Sequence, residues 1–511
     1  MKFFDSIQIN RPKRSKFDLS HENKLTLNMG ELIPILVQEI IPGDSFKAQS
    51  EIIARFAPMI APMYQRINIS THYFFVPNRL VWNEWEQFIT GGEEGTAQPV
   101  APYFDTLANV GLDLKAGSLA DYMGMPSNQA GTGATINQKI SSIPFRAYQM
   151  IYNEYYRDQN LCPKIVYPIT SGAETAGNAQ IIATKRQRAW EKDYFTSALP
   201  WAQKGGAVTL PWEYKDRSDV IMTDTGLPAG NGPLTANVAG QLEAISGAVG
   251  AARLENIDTL SSINDIRRAS ALQRWLEKMA RGGSRYAELL LHMFGEKSDD
   301  ARLQRPEYLG GGIQPVSISE VLSTYDNTAN DLPQGNMSGH GISVGGTNGF
   351  TSKFKEHGYI IGIMSILPKT GYMQGLPRHL QRFDRFDYAW PDFANIGEQE
   401  LKNKEVFLDW ADAQPDADTW PEQTFGYQSR YAEYKFGMNT THGDFRTSLA
   451  FWHEDRIFGS RPALNEQFVK SDPSNRIFAV QDPDIHHVWV NIYNRISAIR
   501  PLPYHGTPTL Y

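Results

Sequence analysis

One cysteine, Cys162, in 511 residues removes two chemistries at once. No intrachain disulfide can form and no cysteine-ligated zinc centre can be built, so stability has to come from packing and association, and the chain suits a reducing compartment. Excess positive charge is missing too. The 49 Lys and Arg against 56 Asp and Glu leave a net charge of -7, which argues against coating of nucleic acid by bulk charge and confines any such contact to local patches. No apolar run approaches the roughly 18 residues that span a bilayer. The N-terminus, with Asp5 and then Arg11 to Lys16, lacks the apolar stretch of a secretion signal. A soluble, cytoplasmically made protein without membrane contact is expected, and the sequons at Asn68, Asn336 and Asn439 then carry no glycan.

Motifs for catalysis are equally scarce. His486 and His487 are adjacent, so on a strand they point to opposite faces, and His340, His357 and His379 show no ligand spacing. Gly310 to Gly312 and Gly345 to Gly349 do not run into the Gly-Lys-Ser or Gly-Lys-Thr ending of a phosphate-binding loop and read as turns. Carboxylate pairs such as Asp299 and Asp300 have nothing that sets them across a cleft. No catalytic residue, metal ligand or cofactor is assigned, and no internal repeat is found.

What is abundant is turn chemistry and aromatic residues: 42 Gly, 30 Pro and 12% Phe, Trp and Tyr favour many strands joined by turns. Leu32 to Ile41 and Phe46 to Phe56 are apolar, β-branched stretches separated by Pro42, Gly43 and Asp44, a turn tripeptide. Ile67, Ile69, Thr71, Tyr73 and Phe75 then take alternate positions, the period of a half-buried strand that Pro77 ends. Trp82, Trp85 and Phe88 recur every three residues, which predicts one short aromatic helix stopped by Gly91 and Gly92.

Residues 93–142 lack periodicity and read as a loop-rich insertion. A helix is predicted from Pro144 through Phe145, Tyr148, Ile151 and Tyr155 to about Arg157, and Asp193 to Gly205 reads as an aromatic turn region. Thr225 to Ala252 carries one charged residue, Glu243, among Gly, Ala, Leu, Val and Ile. Two helices follow, one after Ser262 with Ile266, Leu272, Trp275, Leu276 and Met279 on one face, the other after Ser284. Later strand candidates are Ile313 to Val321, His340 to Gly345, Tyr359 to Leu367, Phe425 to Tyr434 and Val488 to Ile499. Strands at both ends with helices and loops inserted between them suggest a mainly β, antiparallel jelly roll.

Several runs carry a family resemblance: Phe17 to Ser20; Pro42, Gly43, Asp44; Phe74 to Trp82; Asn153 to Asp158; Asp193 to Gly205; Gln304 to Gly311; Gly339 to Gly341; and Arg385 to Pro391. In their order over most of the chain they resemble the major capsid proteins of the Microviridae, small single-stranded DNA bacteriophages, in particular the gokushovirus branch. The resemblance implies an eight-stranded jelly roll formed by N- and C-terminal segments of 1–511. It implies a T=1 icosahedral shell of identical subunits around circular single-stranded DNA, and the virion as location. It also implies a threefold surface protrusion from the insertion at 206–298, a host cell-surface receptor, and a small basic packaging protein and a minor pilot protein as partners.

Within that frame Leu227, Leu234, Val238, Leu242, Ile245 and Val249 are candidates for the protrusion's apolar tip, since uncharged surface is costly unless partners bury it. A flexible loop is the alternative. Arg11, Lys13, Arg14, Lys16, Arg495, Arg500 and Tyr504 are candidates for DNA contact, by phosphate pairing or stacking, against solvated surface or ion pairs between subunits. Tyr493 is a second stacking candidate. The basic residues of the helix after Ser262 are expected to serve ion pairs or solvent. A metal-dependent or carbohydrate-binding β-sandwich, of cupin or lectin type, is the alternative from another class.

Overall fold

The structure is a computed structural model describing residues 14–109, 112–127, 137–206, 221–223, 234–236, 242–244, 251–253, 263–282, 304–322 and 337–505. It divides into two units, Met1–Pro200 with Glu296–Tyr511, and Trp201–Gly295.

Ten strands carry the first unit: β1 (Ser15–Asp18), β2 (His21–Leu27), β3 (Ile33–Ile40), β4 (Ser45–Phe56), β5 (Ile67–Pro77), β6 (Glu307–Pro315), β7 (Ser317–Leu322), β8 (Met337–Lys353), β9 (Gly358–Pro368) and β10 (Val488–Arg500). One antiparallel sheet has the order β2-β10-β4-β8-β7, with β1 sharing the β2 edge of β10; the other has the order β6-β5-β9-β3. Leaving aside β1 and β7, eight strands make two four-stranded sheets, and the chain crosses between them at each step except from β5 to β6, which are neighbours, as in a jelly roll. Long connections leave between β5 and β6 and between β9 and β10.

Side-chain pattern shows which faces are covered. Along β4, Phe46, Ala48, Ser50, Ile52, Ala54 and Phe56 are buried while Lys47, Glu51, Ile53 and Arg55 are exposed; β10 alternates likewise from Val488 to Ala498. That is the pattern of a sheet with one wet face. β9 is apolar and buried almost throughout, from Ile360 to Leu367, because both its faces are packed. Its inner face joins Met364 and Ile366 to Ile52, Ile492 and Phe56 of the other sheet. On its outer face Ile361 and Ile363, with Phe74 and Val76 of β5, pack against Trp82, Phe104, Phe145, Tyr148 and Ile182 of the β5–β6 connection.

Two polar devices sit in these cores. Between the sheets, the Tyr73 hydroxyl donates to Ser50, Ser50 donates to Asn494 Oδ1 at 2.6 Å, and Asn494 Nδ2 donates to the Ile35 carbonyl, so buried polar groups are paired. In the connection, Arg146 is buried against Glu174 at 2.6 Å and donates to the carbonyls of Val81 and Thr170, tying three segments together. A further core, with Tyr194, Phe195, Tyr372, Leu401, Phe425 and Phe468, joins residues near 195 to the β9–β10 connection.

Several expectations are corrected. The aromatic helix is two short ones, Asn78–Val81 and Trp85–Thr90, because Trp82 leaves helical geometry at φ -149. The rings still cluster, Trp82 lying 4.9 Å from Phe88. Gly91 does terminate the second at φ 79. The helix at Ile143–Ile151 continues as a π turn, Tyr152–Tyr156. Residues 93–142 include a paired strand couple, Tyr103–Asp105 and Lys139–Ser141. The span Phe425 to Tyr434 is strand only at Thr424–Ser429, since Tyr431 turns the backbone to φ 60. Gly310 to Gly312 are not a turn but part of β6, which crosses β5 so closely that a Cβ on Gly311 would lie 2.3 Å from the Thr71 carbonyl oxygen. Gly345 and Gly346 mark a register shift within β8, Gly346 at φ 92.

In the second unit, Ile221–Thr223 pairs with Ala251–Arg253 and Leu234–Ala236 with Leu242–Ala244, and a helix spans Ile263–Gly282. The helix predicted after Ser284 lies outside the described residues.

Candidate assembly and nucleic-acid surfaces

The wet face of the β2-β10-β4 sheet is built by strand alternation alone. On the central strand β10 it presents Trp489, Asn491, Tyr493, Arg495, Ser497 and Ile499. Cross-strand partners place Arg55 and Thr26 beside Trp489, Ile53 and Lys24 beside Asn491, Glu51 and Glu22 beside Tyr493, Gln49 beside Arg495, Lys47 and Asp18 beside Ser497, and Lys16 beside Ile499. Trp489 and Tyr493 are 47% and 40% exposed, so their ring faces are available for stacking. Five cations and three carboxylates share this face, a local positive balance on an acidic chain.

Of the sequence-predicted residues, Lys16 and Arg495 fall on it. Arg14, Lys16 and Arg495 are exposed. Asp18 is held below the usual carboxylate range, first by hydrogen bonds from Ser20 and then by Arg495 and Lys16. Tyr504 stacks on Phe17 with centroids 5.7 Å apart and rings nearly parallel. Arg500 is turned inward. Its Nη2 donates to the Glu39 carbonyl at 2.8 Å, its Nε lies 3.4 Å from the buried Asp44 carboxylate, and its guanidinium lies over Phe46. Burial raises the Asp44 pKa, against the Ile41 N–H and the charges of Arg500 and Arg14. Arg500 therefore serves the Pro42 to Asp44 turn. Arg11 and Lys13 lie outside the described residues.

Of the protrusion candidates, Leu234 and Leu242 occupy the small strand pair, opposite Ala244 and Ala236; Leu227, Val238, Ile245 and Val249 lie outside the described residues. On the helix, Ile266, Leu272 and Trp275 of the predicted apolar face are exposed.

A second surface was not singled out from the sequence. In the β9–β10 connection, Leu380, Phe383, Phe386, Tyr388, Trp390 and Ile396 are all exposed, Phe383 at 91%. The segment is nevertheless ordered by its own bonds: Asp387 accepts from the N–H groups of Phe383 and Asp384 at 2.8 Å each, and Trp390 Nε1 donates to the Arg385 carbonyl. Arg382 anchors it by lying over the Tyr434 ring, 4.4 Å away. Contiguous exposed aromatic surface of this kind is what partners commonly cover. The signal in the sequence is the aromatic density of Arg385 to Pro391.

A sequence profile described as Capsid protein (F protein) matches residues 5–510. The chain belongs to that capsid family. It is 34% identical to Capsid protein VP1 of Bdellovibrio phage phiMH2K, over 98% of this chain and 96% of that one. It is also 34% identical to Capsid protein VP1 of Chlamydia phage 1, over 98% and 96% of the two chains, and 30% identical to that of Spiroplasma virus 4, over 99% and 97%. This F-type capsid protein is therefore a structural component of the virion, and its family assembles multimeric shells. Among the described residues no three His, Cys, Asp or Glu side chains are grouped to hold a metal ion, and no helix is long and apolar enough to cross a membrane.

Proposed function

We propose that copies of this chain close into one small T=1 icosahedral shell around circular single-stranded DNA. The observation that carries assembly is the ordered but uncovered aromatic segment from Leu380 to Ile396, which a neighbouring subunit would bury. The wet sheet face supports genome contact: rings at Trp489 and Tyr493 offer stacking, and Lys24, Lys47, Arg55, Arg495 and Lys16 offer phosphate contacts. The 206–298 insertion is the candidate threefold protrusion; the exposed Ile266, Leu272 and Trp275 and the nearly uncharged Thr225 to Ala252 stretch support burial among three copies, with a host receptor as a further partner. A small basic packaging protein and a minor pilot protein fit the same scheme, because the chain itself is acidic.

Electron microscopy of purified particles with and without nuclease tests this. Closed shells of one small size with threefold knobs and nuclease-protected DNA are expected. A stable monomer under all assembly conditions, or shells without DNA from infected cells, would refute it.

A further inference from the structure

A cleft of about 710 Å³ opens between the residues that precede β5 and the β9–β10 connection. Its volume suits a small organic ligand, since such sites run from about 300 to 1,000 Å³. Tyr64 lines it, 70% exposed, with Trp452 at 5.2 Å and Phe445 edge-on at 6.4 Å. The Tyr64 N–H donates to the Trp452 carbonyl at 3.0 Å, so the aromatic group is fixed by backbone rather than by loose side chains.

The floor is polar and already ordered. Gln65 Nε2 donates to Asp455 Oδ1 at 2.8 Å, Thr441 Oγ1 donates to Asp455 Oδ2, and Asn439 Nδ2 donates to the Thr370 carbonyl at 2.7 Å. Arg66 and His442 are exposed among the lining residues, and Arg446 Nη2 lies 3.5 Å from His442 Nδ1. Lys369 also lines the cleft and is paired with Glu191.

We propose that this cleft holds one nucleotide of single-stranded DNA, with the base stacked on Tyr64 and the phosphate between Arg66 and His442. Aromatic stacking beside an exposed guanidinium is the chemistry that binds single strands without sequence choice. A saccharide also stacks on aromatic rings, but the exposed Arg66 guanidinium in the same cleft favours a ligand that carries a phosphate. The inference rests on the reading that the shell encloses DNA.

Ultraviolet crosslinking of intact, nuclease-treated virions, followed by peptide mass spectrometry, tests it. Nucleotide adducts on peptides containing Tyr64 or Trp452 are expected. Tyr64→Leu and Arg66→Gln virions should each lose roughly fivefold or more of the cleft adduct, the low end of what one stacked base contributes, while adducts elsewhere persist. Adducts confined to other peptides would overturn the cleft and leave the enclosed genome standing. Absence of both adducts and protected DNA would overturn the enclosure reading as well. Equal cleft adducts in the variants and in the native chain would also overturn the assignment.

Discussion

The Arg146 guanidinium is the residue on which the β5–β6 connection turns. Buried with Glu174, it donates to the carbonyls of Val81 and Thr170 in that core. Removing one partner of such a pair leaves an uncompensated buried charge, at a cost of about 3–5 kcal/mol. Arg146→Met should therefore lower thermal stability far more than the double change Arg146→Met with Glu174→Leu, as read by calorimetry. Glu454 supplies a pH dependence of the opposite kind to acid denaturation. Burial, assisted by Asp455 and opposed by Arg476 and by bonds from Ser474, raises its pKa to about 7. The folded chain then binds the proton more tightly than the unfolded one, so this contribution is full below about pH 4.5 and fades as pH rises through about 7. Glu454→Gln should flatten the fall in melting temperature between those values. His72 acts with the other sign: burial lowers its pKa to about 4, so stability from keeping it neutral is lost as pH falls from 6.5 through about 4.

At the scale of the element, β6 and β9 show two limits of pattern reading. The long apolar run of β9 was legible as a strand, and its lack of alternation already carried the information that both faces are covered. The glycines of β6 were not legible as strand, because turns and close crossings demand the same missing Cβ and only the neighbour, here the Thr71 carbonyl, distinguishes them. Gly311→Ala should force β6 away from β5, costing about 1–3 kcal/mol, with raised hydrogen exchange along Thr71 to Phe75. The three-residue spacing of Trp82, Trp85 and Phe88 correctly brought the rings together, yet tertiary packing broke the helix: Trp82 is pulled into the core and its Nε1 donates to Ser171 at 2.7 Å.

For the whole molecule, the consequence of the fold is an asymmetry of faces. The connection after β5 covers one sheet, and the opposite sheet keeps a wet face of rings and cations. The exposed aromatic segment adds surface that a lone chain has no reason to hold in order. Phe383→Asp should leave the melting temperature of the unassembled chain nearly unchanged, since surface changes typically stay within about 0.5 kcal/mol. It should sharply reduce the yield of closed particles in sedimentation, because the charge would be buried at a subunit contact. An equal loss of both would place Phe383 in the fold rather than the interface.

By itself the sequence determined what short-range physics controls: the strands with clear alternation or apolar runs, the Pro42 to Asp44 turn, the helix stop at Gly91, the jelly-roll class and, through its ordered motifs, the capsid family. Only the tertiary structure decided partners across long separations. Arg500, a free cation on paper, is turned inward to Asp44 by more than four hundred residues of intervening chain. Trp489 and Arg55 meet on one face because β10 and β4 pair in one register. Periodicity shows how a segment buries itself, whereas which distant charge or ring it meets depends on contacts made when the sheets close, and those are absent from any local stretch of sequence.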